Sequence, residues 1–303
     1  MDRNRPSMKI THLKHKDIDK EKWDYTISNS QNHMFYAFSW YLDIVSPDWE
    51  ALIAENYLYL MPLPVKKKYF LKYIVQPILT QQLGIFSSET IDEKTINKFL
   101  KRIPYLSYEL NFNEKNFSNK FRELPNYVLN LDKSYAQISG TYSKNNIRNI
   151  IKAQNHSLKV VNGIQPDVFF DFIISSSDRY DKNLKKINDL ICEGVSRNVF
   201  QLFGVSDDEN TMIATLCVSK SKERIVYLLP VSNENGKLKS AMFFLVDYLI
   251  QKYSNSFYVL DFEGSKIEGI ARFYKGFGAT LKPYYMIKRC RPNQTTIYNI
   301  SRK

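Results

Sequence analysis

An aspartate and a glutamate two residues apart, Asp261 and Glu263, stand at the end of the apolar run 257–262 in this 303-residue chain. If that run is a strand, alternation turns both side chains to one side. Two close carboxylates raise each other's pKa toward a value useful to a general base. The pair could equally be solvated or cap the next element; Ser265 and Glu268, at capping-box spacing, explain part of this motif structurally without using Asp261 or Glu263. A second cluster, Asn235, Gly236, Lys237, Lys239 and Ser240, precedes a helical pattern. There a glycine admits close backbone approach, a helix start offers N–H groups and two lysines add charge, which makes either a phosphate cradle or an ordinary loop. A third group, Lys144, Arg148 and Lys152, recurs every four residues beside Ile147, Ile150 and Ile151. On a helix this is a cationic stripe next to an apolar face, able to contact an anionic substrate or simply to face solvent. The histidines His12, His15, His33 and His156 show no ligand spacing, and no metal is assigned.

Elements that could hold these groups follow from periodicity. The second half reads as a strand at 157–161, helices at 166–177 and 183–194, three β-rich runs from Val199, Met212 and Arg224, a helix at 238–253, the strand at 257–262, a helix from Ser265, and closing strands at 280–289 and 295–300. The three β-rich runs, separated by turn clusters, form an antiparallel meander. The first half gives a fainter copy: strands at 8–13, 49–55, 57–65 and 72–79, helices at 35–45 and 92–103, and strands near 105–112 and 126–131. These patterns predict a mixed α/β fold in two domains, 1–140 and 157–303, joined by a helix over 141–156, with the last strand free to pack back on the first domain.

Composition sets limits. With 44% hydrophobic and 24% charged residues, the chain is globular rather than disordered. No apolar run reaches the ~18 to 20 residues that span a bilayer, and the N-terminus lacks an apolar leader segment, so a cytoplasmic protein is expected. The cysteines Cys192, Cys217 and Cys290 are odd in number and widely spaced, which favours reduced, buried thiols. The net charge is +12, and it is uneven: 19 basic and 16 acidic side chains up to residue 139, against 24 and 15 from residue 140. An anionic partner, if there is one, is expected to meet the second half.

The run YSKNNIRNIIKA at 142–153 resembles the segment joining the two halves of Fem-type peptidyltransferases and their acyltransferase relatives, which are tandem domains of the GNAT acetyltransferase superfamily. The stretches 61–87 and, more specifically, LDFEGSKIEGIARFYKGFGA at 260–279 are similar to motifs of the same group. The resemblance implies an α/β fold of two GNAT-like acyltransferase domains in tandem. It implies that the strand end at Asp261 and Glu263 faces the cleft where donor and acceptor meet, and that Tyr274 stands where many such enzymes keep a tyrosine that protonates the leaving thiolate. With 21 tyrosines in the chain, Tyr274 could equally serve core packing. Two family features are missing: a long helical hairpin for aminoacyl-tRNA and the usual Gln/Arg-x-x-Gly-x-Gly/Ala phosphate loop. The expected activity is transfer of an acyl group from acyl-CoA to a small-molecule or peptide amine, with Glu263 or Asp261 as base and Tyr274 as acid. Two alternatives stand beside it. One is Fem-type transfer from aminoacyl-tRNA to a cell-wall precursor, favoured by the basic half. The other is a catalytically inactive GNAT-like binding scaffold.

Overall fold

The computed structural model describes residues 8–264 and 266–290, with the side chains of 178–180 outside that description. In chain order, the elements up to residue 124 are β1 (Ile10–Leu13), α1 (Lys20–Asn29), α2 (Ser39–Val45), β2 (Glu50–Ala54), β3 (Tyr59–Leu63), β4 (Val65–Lys68), β5 (Leu71–Val75), β6 (Phe86–Ser87), α3 (Glu93–Arg102), β7 (Tyr108–Phe112) and β8 (Arg122–Leu124). They are followed by β9 (Tyr127–Asn130), α4 (Tyr135–Ser139), α5 (Lys144–Asn155), β10 (Lys159–Asn162), α6 (Pro166–Ser176), α7 (Leu184–Ser196), β11 (Phe200–Ser206), β12 (Met212–Ser221) and β13 (Arg224–Ser232). The remaining elements are α8 (Glu234–Leu238), α9 (Ala241–Tyr253), β14 (Val259–Asp261), α10 (Glu268–Lys275), β15 (Thr280–Leu281) and β16 (Tyr284–Arg289).

One compact unit contains the described residues up to Leu124 together with those from Pro283. It holds two sheets, in the orders β1-β2-β3-β6 and β4-β5-β7-β16-β8. Pro64 marks the change of sheet. The expected single strand 57–65 divides there, because proline supplies no ladder N–H and β3 and β4 pair with different neighbours. Leu52, Met61, Ile74, Ile96, Phe99, Leu110 and Phe112 form the core of this unit. Helix α1, not anticipated from the periodicity, starts where the Asp19 side chain accepts from the Lys22 N–H and buries only Trp23 and Ile27.

The second unit is Pro125–Lys282. Its seven-stranded sheet runs β10-β11-β12-β13-β14-β9-β15 and is antiparallel except for the β13–β14 pair. The boundary expected at residue 140 is therefore displaced at both ends. β9 sits between β14 and β15, and β16 pairs with β7 and β8. The expected strand 280–289 is broken by Pro283, after which β16 joins the first unit. The expected closing strand at 295–300 lies outside the described residues, as does Ser265 of the expected capping box. Helix α10 starts at Glu268, and its cap residue Ile267 makes no side-chain cap bond.

The helix expected over 141–156 is α5, which starts where the Ser143 side chain accepts from the Asn146 N–H and buries Asn146, Ile150 and Ala153. Ile147 and Ile151 are exposed, so the expected apolar face is rotated. Of the three cysteines only Cys217 is buried; Cys192 is exposed on α7. No helix among the described residues is long and apolar enough to cross a membrane.

Candidate active site

The site is made by two parallel strands that part. β13 pairs with β14 only from Arg224 to Val226, opposite Val259 to Asp261. From Tyr227 to Ser232, β13 keeps its antiparallel partner β12 and, among the described residues, has no strand on the other side. At the point of parting the β12 register slips, with Cys217 opposite Leu229 and Val218 opposite Tyr227, so Leu228 is an extra residue in β13. Such a bulge bends its strand and re-aims the groups beyond it. Pro230, well inside this nine-residue strand, is tolerated because the strand is an edge there.

Where the strands part lies a cavity of about 570 Å³. Its walls include Tyr227, Pro230 and Ser232 of β13, Gly236 and Lys237 of α8, Ser240, Met242 and Phe243 at the start of α9, and Gly269, Phe273 and Tyr274 of α10. The cavity thus gathers Gly236, Lys237, Ser240 and Tyr274 from the groups singled out in the sequence. Asn235, Lys239, Asp261 and Glu263 do not line it.

The helix expected from Leu238 is two helices. Ser240 adopts the left-handed conformation at φ 58, so α9 begins at Ala241. The first-turn N–H groups that can meet a ligand are therefore those following Ser240. Ser240 itself is buried, and its Oγ donates to Asn149 Oδ1 at 2.8 Å, which fixes the start of α9 against α5. Gly236 is needed for packing: a Cβ there would lie 2.1 Å from the Ile213 carbonyl oxygen of β12. Lys237 at the cavity wall ion-pairs with Glu234 at 2.6 Å and is otherwise exposed. Lys239 is held by Asp207 at 3.2 Å and Asp208 at 3.5 Å, contacts that raise its pKa. The exposed Asn235 contributes its carbonyl to the Lys239 N–H at 2.8 Å.

Asp261 is buried, its carboxylate ion-paired with Arg224 and accepting the Glu263 N–H at 2.9 Å. The strand ends at Asp261, and Glu263 and Gly264 follow in the left-handed region at φ 59 and 66. The alternation that was to align the two carboxylates therefore does not extend to Glu263. Gly264 is required at its position, because a Cβ would fall 2.1 Å from the Pro125 carbonyl oxygen. Tyr274 is buried in an aromatic cluster, stacked on Phe262 at 4.7 Å and edge-on to Tyr227 at 6.0 Å, while still forming part of the cavity wall. It thus serves the packing reading and leaves the chemical one open to test.

Lys144, Arg148 and Lys152 are all exposed along α5, Arg148 donating to Asn145 at 2.9 Å. A group missed in the sequence lies nearby. Tyr135 and Tyr142 donate to the buried Asp247 of α9 at 2.9 and 3.0 Å. Burial lifts the Asp247 carboxyl above the usual carboxylate range and, helped by the facing carboxylate, pushes the Tyr135 phenol to about 12. An aspartate breaking the apolar run 241–250 was its only sequence signal.

No protein-family model matches the sequence, and no curated protein sequence matches it either. The fold is nevertheless shared with solved structures. FemX is similar over 96% of this chain and 100% of its own, at 11% identity and a TM-score of 0.66. L-PGS from Bacillus licheniformis is similar over 94% and 96%, at 12% identity and TM-score 0.57. A tandem GNAT protein from the clavulanic acid biosynthesis pathway is similar over 93% and 99%, at 8% identity and TM-score 0.54. The chain has the tandem GNAT-like fold, mixed α/β and shared with Fem-type proteins. At these identities the likeness is one of fold.

Proposed function

We propose that this protein is a cytoplasmic N-acyltransferase that moves an acyl group from a coenzyme A thioester to the amine of a small-molecule or peptide acceptor. The observation that carries the proposal is the cavity opened where β13 leaves β14, walled by apolar side chains, a strand edge that is bare among the described residues, and a helix start. Each feature suits one part of such a donor. N–H groups of the first turn of α9, with Lys237 beside them, suit phosphates. The edge of β13 beyond Val226, where β14 has left it, offers backbone groups to an extended amide chain and to the thioester carbonyl oxygen. Tyr274, on the cavity wall, would give its phenolic proton to the departing thiolate as the C–S bond breaks and the C–N bond forms. With Asp261 committed to Arg224, the proton of the attacking amine falls to Glu263.

A second reading, transfer from aminoacyl-tRNA, draws on the exposed stripe Lys144, Arg148 and Lys152 and on the basic second half. Calorimetry separates the two. Acetyl-CoA and longer acyl-CoAs should bind with a stoichiometry of one. If no CoA species binds while aminoacyl-tRNA does, tightening steeply as salt is lowered, counterion release favours the second reading and the first is wrong.

A further inference from the structure

The β4–β5 hairpin ends in two aromatic residues that bury almost nothing. Lys68 pairs with Leu71, so the turn consists of Tyr69 and Phe70 alone, with Tyr69 at φ 54. Two-residue hairpin turns put glycine, asparagine or aspartate at a positive-φ first position, and a bulky residue there is strained. Tyr69 is 78% exposed, Phe70 94% and Leu71 47%. A turn that served folding alone would carry small polar residues. Here strain is accepted to display an apolar tip.

The surroundings of the tip are cationic. Lys66, Lys67, Lys68 and Lys72 lie within seven residues, and no Asp or Glu occurs from residue 56 to residue 88. Lys67 and Lys72 also line a cavity of about 480 Å³ with Lys14, Lys16 and His15, against only Asp48 and Glu50. Glu50 is already engaged by Lys14 at 3.1 Å and Lys72 at 3.0 Å. Lys16 and Lys67 have no carboxylate partner among the described residues.

We propose that this hairpin is an interfacial anchor for an anionic lipid bilayer, independent of which acyl donor the protein uses. Tyr69, Phe70 and Leu71 enter the headgroup–acyl boundary, and Lys67, Lys68 and the neighbouring lysine-lined cavity hold acidic headgroups. Neither signal suffices alone: three apolar side chains bind a membrane only marginally, and lysines supply the second contribution. Charge disfavours a second copy of the chain, because tip-to-tip contact would oppose like-charged lysines. Aliphatic Leu71 on a protruding turn suits hydrocarbon better than base stacking, which uses a groove tracking the strand.

Co-sedimentation with vesicles of phosphatidylcholine, with and without phosphatidylglycerol, tests this on the full chain. Wild-type protein should sediment with the anionic vesicles only, and less as salt rises. Phe70→Ser with Leu71→Ser should weaken partitioning about ten-fold or more, and Lys67→Glu with Lys68→Glu by at least the roughly five-fold per lysine expected near an anionic surface. Both should melt as wild type does. In a Phe70→Trp variant, emission should shift to the blue on adding anionic vesicles. The proposal is overturned if wild type does not sediment or if neither pair of substitutions matters. It is equally overturned if the substitutions abolish binding to single-stranded RNA or a concentration-dependent dimer while vesicle binding is absent.

Discussion

Arg224, at the start of β13, holds the buried carboxylate of Asp261, at the end of β14, reaching diagonally across a parallel pair in which its own backbone faces Val259. The pair fastens the two strands at the last residue before they part. Asp261→Ala removes the buried carboxylate that accepts from the half-buried Arg224 and from the Glu263 N–H, a change that costs about 1 to 3 kcal/mol. Its melting temperature should fall accordingly. An Asp261→Ala protein with wild-type stability and no turnover would restore Asp261 to the chemistry.

Glu263 and Tyr274 are the groups proposed to move protons. General acids and bases contribute ~10²- to 10⁴-fold, so Glu263→Gln and Tyr274→Phe should each lower kcat at least ten-fold without loss of folded protein. Glu263→Gln should also flatten the rise of rate with pH. Wild-type turnover in both variants at matched thermal stability would make the two residues structural.

Lys237 and Lys239, two residues apart in sequence, should separate in function. Lys237 lines the cavity, whereas Lys239 is bound to Asp207 and Asp208. By calorimetry, Lys237→Glu should weaken acyl-CoA binding about five- to ten-fold, while Lys239→Ala leaves affinity within about two-fold. The reverse order would place the phosphates on the other side of α8.

Glu50 gives the first unit an acid limit. Burial pushes its carboxyl up, but hydrogen bonds from Tyr105, Lys72, Lys14 and His12 outweigh burial and bring its pKa from the ordinary 4.5 down to about 2. A depressed carboxylate pKa stabilises fully above the unfolded value, and that contribution is lost as pH falls from 4.5 toward about 2. Glu50→Gln should cost about 2 kcal/mol at neutral pH, a figure reduced for the half-exposed lysine partners, and should blunt the acid sensitivity seen in melts across that window.

The parts of this architecture carried by local pattern were legible: the meander β11–β13, the helix α5, and the helices before the meander. What escaped depended on distant partners. Nothing near residues 127–130 states that β9 will sit between β14 and β15, and alternation along 257–262 could not foresee that the strand stops at Asp261, where Arg224 and the Tyr127 carbonyl fix the turn. Pro230 was the one local mark of the strand parting. Of the cavity, Gly236, Lys237 and Ser240 were found by residue type and spacing, and Tyr274 through the family resemblance. The walls Tyr227, Phe243 and Gly269 were not, because apolar and glycine positions look alike whether they line a cavity or a core.

Gly269 offers the most direct test of the central claim that the acyl donor occupies the cavity beside β13. It lies in the first turn of α10 on the cavity wall, and the space where its Cβ would stand is open. Gly269→Trp should therefore fill the cavity while leaving the helix as stable or slightly more so, since glycine disfavours helices by about 1 kcal/mol. Calorimetric titration of acyl-CoA into both proteins is the measurement. The account predicts binding to wild type and at least a ten-fold loss in Gly269→Trp at an unchanged or raised melting temperature; equal affinity in the two proteins would contradict it.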